Sequence, residues 1–263
     1  MPDPMWRRIA EDLRRKIESG ELGRDGVPLP SEIELRDRYA ASRNTIRDAV
    51  KWLTTRGLVV TRPGQGTFVR QSIDPFVTQL PSDVTGVQGG EGAAYASEVK
   101  ADKREPRASE PRIEIQRASG LVASELGLKH ADSIVSRHQE RFIDNTPWSL
   151  QTTFYPMRLI EQGATRLLQA DTILPGAVQY IEDTLSLERA GRRDRFQIRT
   201  PDRRETEFFG LPDDGRVAVV EITQTLYDKT GSPFAVTVTT YPADRNQFVM
   251  TIGTAPPDPP GAA

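Results

Sequence analysis

Two helix-start signals lie eleven residues apart near the beginning of the chain, and they constrain its fold more than any other feature. Ser31-Glu32-Ile33-Glu34 has the composition of a capping box, in which the serine hydroxyl accepts from the third helical amide and the glutamate reaches back. Ser42 is a second N-cap residue, and Ala40–Ala41 leave room only for a tight turn before it. The spacing predicts a short helix through Tyr39 and another from Ser42 to about Thr55.

The flanking segments complete this pattern. An amphipathic helix is predicted over Pro4–Ser19, because apolar residues recur there at helical spacing. After the second helix, the β-rich runs Leu58–Arg62 and Thr67–Arg70 surround the turn Pro63-Gly64-Gln65-Gly66 and predict a hairpin. Helix, helix, tight turn, helix and hairpin in this order are typical of a winged helix-turn-helix domain, which places a helix in the major groove of DNA.

The charge of the chain is divided unevenly, although the net charge is only −2. Residues 1–70 contain 14 basic and 10 acidic side chains, whereas residues 71–263 contain 21 basic and 27 acidic ones. A basic segment joined to an acidic one indicates that the first part meets a polyanion and the second does not. We therefore expect residues 1–70 to bind double-stranded DNA.

The start of the predicted recognition helix carries side chains suited to that partner. Arg43, Asn44 and Arg47 share an exposed side of the helix. Arginine can form two hydrogen bonds with guanine, and asparagine can form two with adenine. Hydroxyl groups that can donate to phosphate are present at Ser31, Ser42 and Thr45. Gly64 and Gly66 let the predicted wing approach the DNA closely. A lone arginine usually lies on a solvent-exposed helix face without a binding role. Here two caps, the turn and the wing occur in the order of a winged helix-turn-helix, which favours DNA binding.

Residues 5–70 resemble the DNA-binding domain of the GntR family of bacterial transcription regulators. The resemblance rests on IAEDLRRKIESGEL and on LPSEIELRDRYAASRNTIRDAVKWLTTRGLVVTRPGQGTFV, in which LPSE, SRNTIRDA and GQGTFV are the most specific pieces. It implies a set of DNA-facing residues, with Arg36 and Arg38 as phosphate contacts. The set is Ser31, Arg36, Arg38, Ser42, Arg43, Asn44, Thr45, Arg47, Gly64, Gln65 and Gly66.

The rest of the chain changes character after residue 70. Residues 71–94 are predicted to be a flexible linker, because glycines and prolines stand there among small polar residues without a sustained period. Strands are then predicted at residues 95–102, 110–117, 133–143, 148–155, 193–199, 217–226, 234–241 and 248–252, the last three closing an antiparallel meander. Helices are predicted at Gly120–Leu126, Met157–Gln169, Pro175–Leu187 and Asp202–Phe209. The fold class is therefore α+β, and the proline-rich tail 253–263 is predicted to be disordered.

Residue types that are missing or scarce exclude several classes of protein. The chain has no cysteine, which excludes a disulfide framework, thiolate metal sites and cysteine nucleophiles. Two histidines, His130 and His138, are too few for most histidine-built metal sites, and we predict neither a metal nor a cofactor. No apolar run approaches the roughly 18 residues of a membrane span, and the first residues lack the pattern of a signal peptide. A cytoplasmic protein without a membrane partner is expected.

Residues 95–252 are similar to the ligand-binding UTRA domain of the HutC subfamily. The similarity rests on the runs SGLVASELGL, RHQERFIDNTPWSLQTTFYP and LYDKTGSPFAVTVTTYPADRNQF. It implies the chorismate-lyase-like fold, an antiparallel sheet flanked by helices, and a bound small effector. The effector-binding residues that it implies are Arg137, Arg141, Ser149, Gln151, Thr153, Thr237, Thr239 and Tyr241. Gln151 and Ala235 stand where relatives often carry glutamate.

Three functions are compatible with this sequence. The first is a sequence-specific transcription regulator, with repression the favoured mode, that binds a palindromic operator as a homodimer and responds to a small-molecule effector. In this function residues 95–252 both bind the effector and form the dimer. The second is an enzyme of chorismate-lyase-like fold with a DNA-binding extension, which the shortage of candidate catalytic groups disfavours. The third is an effector-independent DNA-binding protein. The basic run Arg189–Arg199 is either a solvated strand edge or a second polyanion contact, and His138 is interpreted as a hydrogen-bonding residue.

Overall fold

The computed structural model of the chain describes residues 3–22, 26–62, 64–69, 75–80, 93–118, 120–211, 215 and 217–254. The chain divides into two compact units, Met1–Asp74 and Pro75–Ala263. No helix within the described ranges is long and apolar enough to cross a membrane. Much of the predicted linker (71–74 and 81–92) and of the predicted tail (255–263) lies outside the described residues.

The described residues of the N-terminal unit form three helices and a hairpin. They are α1 (Met5–Glu18), α2 (Glu32–Tyr39), α3 (Arg43–Thr55), β1 (Val59–Arg62) and β2 (Gly66–Val69). The apolar stripes of the helices meet in one core, formed by Ile9, Ala10, Leu13, Leu29, Leu35, Ile46, Ala49, Leu53, Val59 and Val69. Each element ends within a residue or so of its expected position, which confirms the winged helix-turn-helix prediction.

The turn between α2 and α3 is as short as the two caps require. Ala40 ends α2 in a left-handed conformation with a φ of 46°. Ser42 then caps α3 by accepting from the amide of Thr45 at 3.2 Å. This turn sets the first residues of α3 beside the start of α2.

Within the ranges that the structure describes, the C-terminal unit combines nine strands with short helices. The strands are β3 (Phe76–Leu80), β4 (Pro106–Ala108), β5 (Arg112–Arg117), β6 (Ser133–Ile143), β7 (Thr146–Pro156), β8 (Arg189–Arg199), β9 (Val219–Asp228), β10 (Pro233–Pro242) and β11 (Asn246–Met250). The helices are α4 (Ala93–Ala101), α5 (Gly120–Glu125), α6 (Met157–Glu161), a 3-10 helix (Thr165–Leu168), α7 (Ala177–Leu185) and α8 (Arg203–Phe209). The main sheet has the order β4-β6-β7-β10-β9-β8, with β5 also paired to β6, and all of its pairs are antiparallel.

Helices cover both faces of the main sheet. Because side chains alternate across a strand, Tyr155, Leu226 and Ala235 face one side, where α6, the 3-10 helix and α7 pack. Phe154 and Val236 face the other side and pack against α5. The result confirms the α+β prediction of an antiparallel sheet flanked by helices.

Two helical segments correct the sequence expectation. Residues 95–102, predicted as a strand, belong largely to α4, whose buried Tyr95 and Val99 lie four residues apart, which is helical spacing. The helix predicted over Met157–Gln169 stops at Glu161, because Gly163 has a φ of 122° that an α-helix does not allow, and the chain resumes as a 3-10 helix.

The last strand also corrects the expectation. It does not continue the antiparallel meander; β11 instead pairs in parallel with β3, in register from Asn246 and Phe76 onward. The predicted linker therefore contains a strand at Phe76–Leu80. The two paired segments lie about 170 residues apart in the chain. Local periodicity in the sequence therefore cannot predict that they pair.

Candidate DNA-binding surface and effector site

The first turn of α3 presents the predicted base-reading residues to solvent. Arg43, Asn44 and Arg47 are exposed, and the hydroxyl groups of Ser42 and Thr45 lie 2.8 Å apart at the helix start. Helix N-termini carry unpaired amide groups and a partial positive charge, which favour phosphate. The structure thus brings together the residues that the sequence predicted for α3.

One carboxylate links the two arginines of this surface. Glu32, the first residue of α2, accepts from Nε of Arg43 at 3.0 Å and from Nε of Arg47 at 3.1 Å. The bonds from Arg47 and Arg43 lower the pKa of Glu32 below its usual value. Both bonds use Nε, and within the described residues the Nη groups of Arg43 and Arg47 make no hydrogen bond. This role of Glu32 is not predictable from the sequence, because only the fold sets α2 beside α3.

The other predicted DNA-facing residues lie around this pair. The hydroxyl of Ser31 takes part in a complete capping box, donating to Glu34 at 2.8 Å and accepting from its amide at 3.3 Å. Residues on the last turn of α2 and at the wing tip are exposed: Arg36, Arg38, Gly64, Gln65 and Gly66. The two wing glycines have φ values of 73° and 120°, which side chains rarely adopt.

The predicted effector residues lie on three neighbouring strands of the main sheet. In one cross-strand row Arg137 opposes Thr153, which opposes Thr237; in the next, Gln151 opposes Thr239. Ser149 opposes Arg141 in a third row, and Tyr241 lies two residues after Thr239 on β10. Opposed residues share a face, so all eight belong to one surface, here called the polar face. Buried Gln139, which opposes Gln151, also belongs to it and was missed.

Arg137 holds a neighbouring segment in place. Its guanidinium donates to the carbonyl oxygens of Leu167 at 3.0 Å, Gln169 at 2.7 Å and Asp171 at 2.7 Å. The residue is only 2% exposed, so these bonds stand in for the water that a charged group loses on burial. Arg137 therefore ties the chain after the 3-10 helix to the sheet.

The other end of the polar face is lined by aromatic rings and a carboxylate. The Arg141 guanidinium lies 4.8 Å from the centre of the Tyr95 ring. Burial raises the pKa of Tyr241 to about 12 and raises that of Glu98 above its usual value. Glu98 accepts from the amide of Gln79 at 3.0 Å, which connects α4 to β3.

Two polar atoms on this face are buried without a hydrogen-bond partner among the described residues, Ser149 Oγ and Gln151 Oε1. Nearby, the hydroxyl groups of Thr153 and Thr237 lie 3.0 Å apart. An unpaired buried polar atom costs about 1–3 kcal/mol. Such atoms concentrated on one surface indicate a place for a ligand or for water.

His138 faces the opposite side of the sheet. Arg204 donates to its Nε2 at 2.9 Å, so Nδ1 carries the hydrogen and donates to Thr152 at 2.8 Å. Burial, together with the charges of Arg204 and Arg112, lowers the pKa of His138 to about 4. The described residues hold no group of three or more histidine, aspartate or glutamate side chains that could bind a metal ion.

Comparisons with known proteins agree with this geometry. The family model for bacterial regulatory proteins of the gntR family matches residues 6–69, and that for the UTRA domain matches residues 102–247. The HTH-type transcriptional repressor NagR of Bacillus subtilis (strain 168) is 24% identical over 244 residues, which are 93% of each chain. The HTH-type transcriptional regulator GmuR of the same organism is 23% identical over 228 residues, 86% of this chain and 89% of GmuR.

Solved structures share the fold. A crystal structure described as a GntR-family transcriptional regulator matches with a TM-score of 0.63 at 21% identity, covering 96% of this chain and 99% of the other. PhnF from Mycobacterium smegmatis matches with a TM-score of 0.54 at 19% identity, covering 94% and 100%. With both family patterns matched in order over their two units, the chain belongs to the GntR family of bacterial transcription regulators, in the HutC-type branch that carries a UTRA domain.

Proposed function

We propose that this regulator represses transcription in the cytoplasm by binding a palindromic operator as a homodimer, that a small effector on the polar face releases it, and that it is not an enzyme. The observation that carries the DNA-binding part is the Arg43–Glu32–Arg47 arrangement at the exposed start of α3. It holds two guanidinium groups beside one carboxylate before any DNA is present.

This arrangement suits base recognition. A guanidinium bonded through Nε keeps its two Nη groups as a fork, and such a fork matches O6 and N7 of guanine. The hydroxyl groups of Ser42 and Thr45 and the amides of the α3 start supply phosphate contacts, which position the helix without reading sequence. In this proposal Arg43 and Arg47 read bases.

The test uses an operator duplex selected from random DNA by the full-length protein. Arg43→Ala and Arg47→Ala should each cost about 1–3 kcal/mol of operator affinity, with a much smaller loss on a random duplex. Ser31→Ala should weaken both duplexes to a similar extent, because a phosphate contact carries no sequence information. If Arg43→Ala weakened both duplexes equally, its base-reading role would be wrong.

The proposed homodimer follows from the size of the recognition element. One α3 start reaches only a few base pairs, whereas two copies related by a two-fold axis read a palindrome with half-sites about one helical turn apart. Footprinting of the selected operator should show two protected half-sites, and a single protected site would contradict the palindrome.

The unpaired atoms of the polar face support an effector site. An effector with hydrogen-bond donors would satisfy Gln151 Oε1, and Ser149 Oγ offers both a donor and an acceptor. The same face touches the first elements of this unit, because Glu98 of α4 is bonded to Gln79 of β3 and lies near Arg141. We propose that effector binding moves β3, which is the described strand nearest in sequence to the DNA-binding unit.

Reciprocity tests this mechanism. If the effector weakens operator binding tenfold, a coupling of about 1.4 kcal/mol, the operator must weaken effector binding by the same factor. Once a metabolite that raises the melting temperature is found, calorimetry with and without saturating operator measures the factor. Equal affinities with and without operator would rule out induced release.

Ser149→Ala tests the effector site itself. It should weaken binding of that metabolite while leaving the free energy of unfolding nearly unchanged, because the hydroxyl has no described partner to lose.

The two alternatives make different predictions with the same metabolite. An enzyme with a DNA-binding extension would convert it, so product analysis by mass spectrometry distinguishes turnover from binding. An effector-independent protein would bind no metabolite, and Ser149→Ala would then change nothing. The polar face favours binding of a metabolite over its conversion. The guanidinium groups of Arg137 and Arg141 are already engaged, one with carbonyl oxygens and the other with the Tyr95 ring, and so are poor candidates for catalytic groups.

A further inference from the structure

Ile33, on the first turn of α2, is the most exposed large apolar side chain among the described residues of the N-terminal unit. It is 67% exposed, against 47% for Met5 and 38% for Val27. Leu35, two positions further along α2, is 1% exposed and belongs to the core. Side chains two residues apart in an α-helix point about 200° apart around its axis. The packing of Leu35 therefore turns Ile33 away from the core and into solvent.

The position of Ile33 is next to the residues proposed to read bases. Glu32, the residue before it, accepts hydrogen bonds from Nε of Arg43 at 3.0 Å and from Nε of Arg47 at 3.1 Å. Arg36, three residues after Ile33, is exposed on the same side of α2. Ile33 therefore lies between the arginine pair of α3 and an arginine expected to contact phosphate.

The exposed neighbours of Ile33 along α2 are charged. Glu34 follows it directly, and Arg36 and Asp37 lie one turn further on. A protein partner that buries apolar surface needs a contiguous apolar patch, and one isoleucine among charges does not provide it. The major groove of DNA offers an apolar group of matching size, because the C5-methyl group of thymine stands on its floor.

We infer that Ile33 packs on the C5-methyl group of a thymine in the major groove and so selects a T·A pair in the operator. This inference rests on the proposed reading of bases by Arg43 and Arg47 and extends it to α2. Cytosine and adenine present amino groups in the major groove, and guanine presents O6 and N7. Beside an isoleucine these polar groups would lose water without gaining a hydrogen bond, which disfavours those bases.

Deoxyuridine in the operator tests the contact, because it lacks only the C5-methyl group of thymine and pairs with adenine in the same way. The duplex is the operator selected from random synthetic DNA by the full-length protein, with one thymine replaced at a time. Fluorescence anisotropy measures each affinity. At the contacted position the affinity of the wild-type protein should fall about fourfold, the effect of losing one buried methyl group.

Ile33→Ala shows whether the lost methyl group acts through Ile33. This variant should bind the unmodified operator at least about fourfold more weakly and should show no further loss with deoxyuridine at the sensitive position. Its affinity for random DNA should stay unchanged, because the substitution removes no charge. Met5→Ala is the matched control: it truncates the next most exposed apolar side chain of this unit and should keep the full fourfold loss.

Methylated cytosine carries the same apolar group and provides a second arm. Replacing one cytosine of the operator at a time by 5-methylcytosine should raise the affinity at no position. A gain at one cytosine without a loss at any deoxyuridine would assign the contact to a methylated cytosine and would overturn the thymine contact.

The remaining outcomes separate the inference from the proposed function. A wild-type protein that tolerates deoxyuridine at every position, or an Ile33→Ala variant that keeps the fourfold loss, overturns the Ile33 contact, while Arg43→Ala still tests base reading by α3. A full-length protein that selects no operator from random DNA overturns both.

Discussion

The two units use arginine in opposite ways. In the N-terminal unit Arg43 and Arg47 are exposed and share one carboxylate, and their Nη groups make no hydrogen bond within the described residues. In the C-terminal unit Arg137 is buried, and its guanidinium bonds backbone carbonyl oxygens. The comparison shows that a surface arginine beside a single carboxylate remains available to a partner, whereas a fully bonded buried arginine stabilises the fold.

The largest effect that would test this comparison is expected at Arg137. Arg137→Met should lower the unfolding free energy of the full-length protein by about 3 kcal/mol, because several charge-assisted hydrogen bonds to carbonyl groups are lost. Chemical denaturation measures it. Arg203→Met is the matched control, since Arg203 is 92% exposed and should change stability by less than about 0.5 kcal/mol. Similar losses in the two variants would remove the contrast between buried and exposed arginines.

A smaller effect is expected at Glu32. Glu32→Gln should lower operator affinity relative to random DNA by up to about tenfold, roughly 1.4 kcal/mol, because the arginine pair is no longer held in one orientation. Random DNA should bind as well or better, since a negative charge is removed from the surface. Asp37→Asn makes the same charge change on α2, at an exposed residue with no ion pair among the described residues. If both variants behaved alike, Glu32 would act through charge alone.

The smallest effect concerns pH and the C-terminal unit. The pKa of His138 is about 4 in the folded protein, while an unfolded histidine titrates near 6.5. The folded state therefore binds fewer protons, so the stability that His138 contributes is present above pH 6.5 and is lost as the pH falls toward 4. Between pH 7 and 5 the unfolding free energy should fall by roughly 1 kcal/mol through this residue.

His138→Gln should flatten that pH dependence, and His130→Gln, which changes the other and exposed histidine, should leave it intact. Urea unfolding followed at each pH separates the two variants. A slope that persists in His138→Gln would assign the acid sensitivity to other groups.

The two units also differed in how far the sequence predicted them. In the N-terminal unit the helix ends follow from Ser31 and Ser42, whose hydrogen bonds close within three residues. In the C-terminal unit α4 was mistaken for a strand, because Tyr95 and Val99 are compatible with more than one periodicity over so short a segment. The parallel pair of β3 and β11 was missed because its partners are distant in the chain.

The candidate sites divide in the same way. The residue types of the α3 start and their spacing were enough to predict which side chains face outward together. The eight effector residues were named from a resemblance, and the strand register then placed them on one face. The hydrogen bonds and burial of each of these residues were not predictable. Arg137, for example, bonds carbonyl oxygens of a segment about 30 residues away in the chain.

The sequence by itself determined the helix-turn-helix, its wing, the α+β class of the second unit and the exposed arginines of α3, because caps, turns and periodicity act over a few residues. Tertiary structure decided that Glu32 meets Arg43 and Arg47, that Ser149 and Gln151 are buried with unpaired atoms, and that β8 is left at an edge. The physical reason is that burial and pairing depend on which distant segments pack together, and single-residue propensities carry no information about that choice.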